Sequence, residues 1–188
     1  MHPNLIVRQR VAKSSEAFSR YVLPVLFSPQ DRSRFVSVEG GTDSVSKLLD
    51  YAGIDWFWRG PKGLTAVSQR TQTIRRGQRP FDTFTVRVSL LNGCDTELQK
   101  LTNAVNSKGE ILTSYVTIQS YLSEDNQLLS SGRMRTLDLA KALISAPRRW
   151  PHLTNYEDGT KFVGPTWAWL QSEKRPVKIW TPPLALAA

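Results

Sequence analysis

A chain of 188 residues suits one domain, and its 40% hydrophobic content supplies enough apolar surface for a real core. A net charge of +9 points to a polyanionic partner, nucleic acid first. The single cysteine, Cys94, excludes an internal disulfide framework and a Cys-rich zinc site, and His2 and His152 leave little for a His-based metal centre or triad. A metal here would be held by carboxylates and water, which favours Mg²⁺ or Mn²⁺.

The N-terminus, MHPNLIVRQR, lacks the apolar region of a signal peptide, and no apolar run is long enough to span a bilayer. A cytoplasmic protein with no membrane association is therefore expected. Ser14 or Ser15 can cap a helix running to about Phe27, with Phe18, Tyr21, Val22, Val25 and Leu26 on its apolar face and a kink or early end at Pro24. Phe35–Glu39 reads as a short strand, 40–43 as a turn, and Ser44–Leu49 as an extended bridge or one helical turn. Asp50 and Asp55 flank Gly53 in a bend, and Ile54-Asp55-Trp56-Phe57-Trp58 has the bulk of a strand. Gly60-Pro61-Lys62-Gly63 is a tight turn.

Leu64–Gln72 is a second strand, with Leu64, Ala66, Ser68, Arg70 and Gln72 on one face. That face turns polar after two residues, the pattern of a strand that delivers side chains to a site. A basic loop with Gly77 follows, then a strand over Phe81–Leu90 carrying Phe84, Val86 and Val88 on one face. Asp95 or Thr96 caps a second helix with Leu98, Leu101, Ala104 and Val105 inward. Ile111–Leu122 and Leu128–Thr136 form a hairpin, and Thr136 caps a third helix with Leu139, Leu143 and Ile144 inward. Residues 1–147 thus read as an α/β core with a mixed central sheet flanked by helices. Residues 148–188 read as an irregular Pro/Trp-rich extension that packs Trp150, Trp167, Trp169 and Trp180 onto it.

The positive charge is concentrated. Arg59, Lys62, Arg70, Arg75, Arg76, Arg79 and Arg87 lie between Arg59 and Leu90 against the single acid Asp82. Arginine predominates, which suits bidentate phosphate contacts. These residues, with Gln72, are the candidate nucleic-acid contacts.

Leu49-Asp50-Tyr51-Ala52-Gly53-Ile54-Asp55, followed by Thr65-Ala66-Val67-Ser68-Gln69-Arg70, resembles the core motif of the PD-(D/E)XK, or restriction-endonuclease-like, nuclease superfamily. The likeness covers roughly residues 13–122, and its motif is short. It implies an α/β fold of restriction-endonuclease-like type and metal-dependent phosphodiester hydrolysis with Mg²⁺ or Mn²⁺. It further implies a nucleic-acid substrate, DNA before RNA, and a homodimer or larger complex as the setting. In that pattern Asp55 takes the metal-binding Asp position, with Asp50 as its backup. The acid-spacer-Lys triplet maps to Ser68-Gln69-Arg70. Shifted by one residue, Gln69 takes the acid position and Thr71 the Lys position. Glu16 on the first helix, or Glu39 on the neighbouring strand, would supply an additional acid. The departure is chemical: Ser68 or Gln69 offers a neutral oxygen where the family has a carboxylate. Arg70 stabilises phosphate charge but stays protonated at neutral pH.

Blander readings stand beside these. Asp50 and Asp55 suit turns, Asp55 suits an ion pair with Arg70, and the tryptophans suit core packing. Three functions stay open on the residues: a nuclease, a non-catalytic DNA- or RNA-binding subunit of this fold, and a module whose basic face meets an acidic protein.

Overall fold

The computed structural model describes residues 12–38, 43–61, 63–79, 81–89, 96–107, 111–147, 149–150, 152–154 and 159–182. Helix α1 covers residues 12–26, α2 Pro29–Arg32, α3 Ser44–Tyr51, α4 Glu97–Asn106, α5 Thr136–Ser145 and α6 Trp167–Ser172. The strands are β1 Phe35–Ser37, β2 Trp56–Gly60, β3 Gly63–Thr73, β4 Val86–Ser89, β5 Val116–Leu122, β6 Leu128–Arg135, β7 Leu153–Thr154, β8 Lys161–Val163 and β9 Lys178–Trp180.

Six strands form a mixed sheet in the order β1-β2-β3-β5-β6-β9, and β4, β8 and β7 form a second, small sheet. Within the main sheet β3 and β5 are parallel and the other pairs antiparallel. A parallel pair needs a long crossover, which β4 and α4 provide. On one face α1 packs Phe18, Val22 and Leu23 against Trp56, Val67, Ile118 and Leu122. On the other, Tyr121 and Met134 lie under Leu101 of α4, Leu139 and Leu143 of α5, Trp167 and Leu170 of α6, and Phe84 and Val86. Covered on both faces, β5 is buried almost continuously. The chain is thus an α/β protein with a mixed six-stranded sheet flanked by helices.

Several local expectations are corrected. Pro24 does not end α1. Phe18–Val22 form a π-helical turn, the Leu23 N–H reaches back five residues to the Phe18 carbonyl, and the helix continues to Leu26. The wider turn absorbs a proline that can donate no hydrogen bond. It also rotates the apolar stripe, so Leu23 is buried and Val25 is exposed. Ser14 and Ser15 lie inside α1 and are not caps. Residues 44–51 form more than one helical turn, because Asp43 caps α3 by accepting the Val45 and Ser46 N–H groups at 2.9 Å each. The Ser46 hydroxyl, donating at 2.6 Å, and then these backbone bonds hold the Asp43 carboxyl below its ordinary pKa. Asp50 is therefore a helical residue of α3, not part of a bend.

The strand expected from Ile54 begins pairing at Trp56, and the one expected over Phe81–Leu90 is regular only at Val86–Ser89, in the small sheet. Thr96 is the cap of α4, its Oγ1 accepting the Gln99 N–H at 3.2 Å. Thr136 is the first residue of α5 and not its cap. Its hydroxyl is shared with Ser114 and Thr117, at 3.0 and 2.9 Å. Ile144 is exposed. The C-terminal extension is more regular than its composition suggested, since β9 extends the main sheet, β8 pairs with β4, and α6 buries Trp167. Gly132 of β6 lies directly under the Trp167 indole, where any Cβ would clash. No helix among the described residues is long and apolar enough to cross a membrane.

Candidate nucleic-acid interface

The β2–β3 hairpin places most of the candidate residues. Its strands pair from Gly60↔Gly63 to Trp56↔Val67. Beyond that pair β3 runs on to Thr73, and among the described residues no strand pairs with it on its β2 side. The donors left there are met by side chains. Asp55, just before β2, accepts the Gln69 N–H on Oδ2 at 2.6 Å, and Ser14 of α1 accepts the Thr71 N–H on Oγ at 2.8 Å. The Asp55 N–H donates to the Val67 carbonyl at 3.0 Å, which holds Asp55 beside the last pair of the hairpin, Trp56↔Val67. A short bond between a carboxylate and a backbone donor is among the stronger hydrogen bonds of a fold. Asp55 thus continues the hairpin where β2 stops.

Strand alternation puts Val67, Gln69 and Thr71 toward α1, all three buried, and Ser68, Arg70 and Gln72 toward α4. Gln69 and Thr71 are linked to each other at 3.2 Å, and the Ser14 hydroxyl lies 3.4 Å from the Gln69 Oε1. Gln69 and Ser68 therefore serve opposite faces. On the α4 side Arg70 is tied down. Its Nη2 meets Glu97 Oε2 at 2.8 Å, and its Nη1 donates to the Thr85 carbonyl at 2.6 Å and the Thr85 hydroxyl at 3.1 Å. Thr85 passes the network on to Gln119, its hydroxyl donating to Oε1 at 2.9 Å. The same Glu97 oxygen accepts the Arg87 N–H at 3.2 Å. The ion pair considered between Asp55 and Arg70 is replaced, at the arginine, by one to Glu97.

Glu97 was missed by sequence reasoning. It opens α4 directly after the Thr96 cap, an unremarkable place for an acid beside the helix dipole. Only the crossover brings it over β3. Tyr121, next to Gln72 across β3 and β5, is also part of this face. Burial pushes its phenol pKa up to about 12, against the lowering effect of the Thr83 hydrogen bond and the Arg70 charge.

The basic residues that are dense in sequence are dispersed in space. Arg59 lies exposed near the hairpin turn, opposite Leu64. Arg75, Arg76 and Arg79 are exposed beyond Thr73, at the other end of β3. From Leu64 to Thr73 an extended strand covers roughly 30 Å. Arg70 and Arg87 lie between these ends, the Arg70 guanidinium and the Arg87 backbone N–H both meeting Glu97, and Gln72 is half-buried on β3 with Arg70. The turn after Thr73 is closed by the Gln78 N–H donating to the Arg75 carbonyl at 3.0 Å, with Gly77 at φ 82°. None of the ion pairs among the described residues involves Arg75, Arg76 or Arg79. Lys62 and Glu39 lie outside the described residues, as does the side chain of Asp50. Glu16 is exposed on α1 and paired with Arg20 at 3.0 Å.

A divalent cation of the kind the resemblance implies needs several hard oxygen donors. Asp55 Oδ2 is committed to the Gln69 N–H, Ser68 is neutral, and Glu97 Oε2 is shared between Arg70 and the Arg87 N–H. Among the described residues no group of three or more His, Cys, Asp or Glu is placed to hold a metal. The fold and site define the chain as an α/β domain with a two-ended basic surface and a neutralised polar cluster between the ends. No family model and no curated protein sequence matches it.

Proposed function

We propose that this chain is a nucleic-acid-binding protein, DNA being the expected ligand, whose principal phosphate contacts are Arg75, Arg76 and Arg79. One observation carries the reading. These three cations are exposed, close together and outside every ion pair among the described residues, while Arg70 and Asp55 are engaged within the fold. A protein that neutralises phosphates with free cations releases counterions, so its affinity falls steeply with salt. The element order supports a restriction-endonuclease-like core for this role: α1 on one face, a β1-β2-β3 meander, β5 parallel to β3, and the crossover helix α4 on the other face.

The test is binding of labelled single- and double-stranded DNA and RNA followed by anisotropy across a salt series. Replacing Arg75, Arg76 and Arg79 together by Ala should flatten the slope of log affinity against log salt by up to about three phosphate contacts, near 2.7 for a duplex. An unchanged slope rejects the assignment of this turn. Binding that ignores salt in the wild type rejects nucleic acid as the ligand.

A second reading, hydrolysis of phosphodiester bonds with Mg²⁺ or Mn²⁺, is favoured by the bond from the Gln69 N–H to Asp55 Oδ2, which holds this carboxylate beside β3 one residue before Arg70. It is tested by incubating bound DNA and RNA with either metal against EDTA. Intact nucleic acid in both metals removes it and leaves the binding reading.

A further inference from the structure

The geometry points to a pocket for one unpaired nucleobase between Phe81, Trp167 and Ile179, fed by the Arg75–Arg79 turn. This assignment rests on the nucleic-acid reading above and goes further, naming the part of the ligand and where it goes. A cavity of about 260 Å³ opens between the segment leading into β4, the start of α6 and the edge strand β9. Its walls are apolar, and two of them reach solvent: Phe81 is 50% exposed and Ile179 43% exposed. The volume lies just below the usual range of ligand pockets, roughly 300–1,000 Å³. That size suits a single planar ring system.

The pocket is rigid where a stacking platform has to be. The Phe81 ring rests on Tyr121 with centroids 5.7 Å apart. Its carbonyl accepts the Ser130 hydroxyl at 3.2 Å, and the Asp82 carbonyl accepts the Trp167 N–H at 2.7 Å. The next residue bridges to α6 through Thr83↔Thr166. An exposed aromatic on a backbone held in this way loses little freedom when a base stacks on it.

Position and charge identify the occupant. Phe81 follows Arg79 by two residues, so at most about 7 Å of chain separates the last cation of the turn from the aromatic wall. A strand whose phosphates lie on the turn therefore has its bases within reach of the pocket. Among the described residues that line the pocket, the only charged side chain is that of Asp82, a carboxylate, which repels phosphate and accepts hydrogen bonds. Gln171 also lines it and has its Nε2 fixed on the Val177 carbonyl at 3.2 Å, which leaves the Oε1 as a second acceptor. These two acceptors, with no cation among the described lining residues, favour a base bearing an exocyclic amino group, and the Ser130 and Thr181 hydroxyls complete the polar lining. A base paired in a duplex cannot enter, so the pocket favours single-stranded or locally opened nucleic acid.

The experiment uses the full chain with a single-stranded oligonucleotide carrying 2-aminopurine at one position and a distant dye. Dye anisotropy reports binding as such, and 2-aminopurine emission with acrylamide quenching reports insertion. Binding with the 2-aminopurine shielded from acrylamide is the expected result. Phe81→Ala should weaken single-strand binding about tenfold, within the usual range for one stacked base, and abolish the shielding. Ile179→Glu, on an exposed wall, should abolish shielding while keeping the wild-type melting temperature, which guards against a folding defect. Asp82→Asn should reduce the preference for amino-bearing bases. Anisotropy that shows binding while 2-aminopurine stays fully quenchable overturns the pocket and leaves the phosphate reading intact. No anisotropy change at low salt overturns both.

Discussion

Asp55 offers the sharpest test of what the hairpin is for. Replacing it with Ala removes the 2.6 Å bond to the Gln69 N–H at a residue that is only 8% exposed. A buried backbone donor left without its charged acceptor costs about 2 kcal/mol. For a chain of this length each kcal/mol lowers the melting temperature by about 2–4 °C, so Asp55→Ala should melt about 4–8 °C below wild type. Asp55→Asn keeps an oxygen that accepts the same N–H and loses only the charge, so it should cost about 1 kcal/mol or less. Thermal and urea denaturation followed by tryptophan fluorescence measure both variants. A stability within about 0.5 kcal/mol of wild type for Asp55→Ala would refute the view that this carboxylate extends the hairpin. The same two proteins judge the hydrolysis reading. If Asp55 holds a metal, Asn abolishes cleavage as completely as Ala does despite its near-normal stability.

Glu97→Gln should release Arg70 from its ion pair, lower stability by about 1–2 kcal/mol at this partly exposed position, and steepen the salt dependence of nucleic-acid binding by about one contact. An unchanged slope would mark Arg70 as structural. Tyr121 gives an alkaline signature. The unfolded chain releases this proton near the ordinary value of 10.0, whereas the folded chain holds it to about 12. The unfolded state therefore binds fewer protons between those values, and stability falls with rising pH there by about 1.4 kcal/mol per unit for this group. Tyr121→Phe, compared with wild type in denaturant titrations from pH 9 to 12, should show a shallower fall, and identical profiles would contradict the burial. Gly132→Ala should destabilise by about 1–3 kcal/mol, because the new Cβ meets the Trp167 indole; a neutral result in the same denaturation assay would mean that α6 shifts at no cost.

By itself the sequence determined the periodic elements and the strongest turns. The 3.6-residue spacing in α4 and the alternation in β3 are local signals, and Gly60 and Gly63 bracket a hairpin that closes where they stand. Charge and composition gave the ligand class to test. The register itself, Trp56 opposite Val67, came from the structure and puts two apolar residues on one face. Tertiary structure alone decided the rest. The π turn before Pro24 reflects packing of Phe18 and Val22 against the sheet, which no propensity encodes. The parallel pairing of β3 with β5 joins residues separated by a crossover, so Glu97 reaches Arg70 from 27 positions away and neutralises the cation that looked most available. The basic run from Arg59 to Arg87 reads as one patch on paper. An extended strand stretches it across the sheet, and among its described residues only the Arg75–Arg79 turn keeps exposed, unpaired cations together. Position along a strand is written in the sequence; which cations remain free is settled by what the other elements bring to meet them.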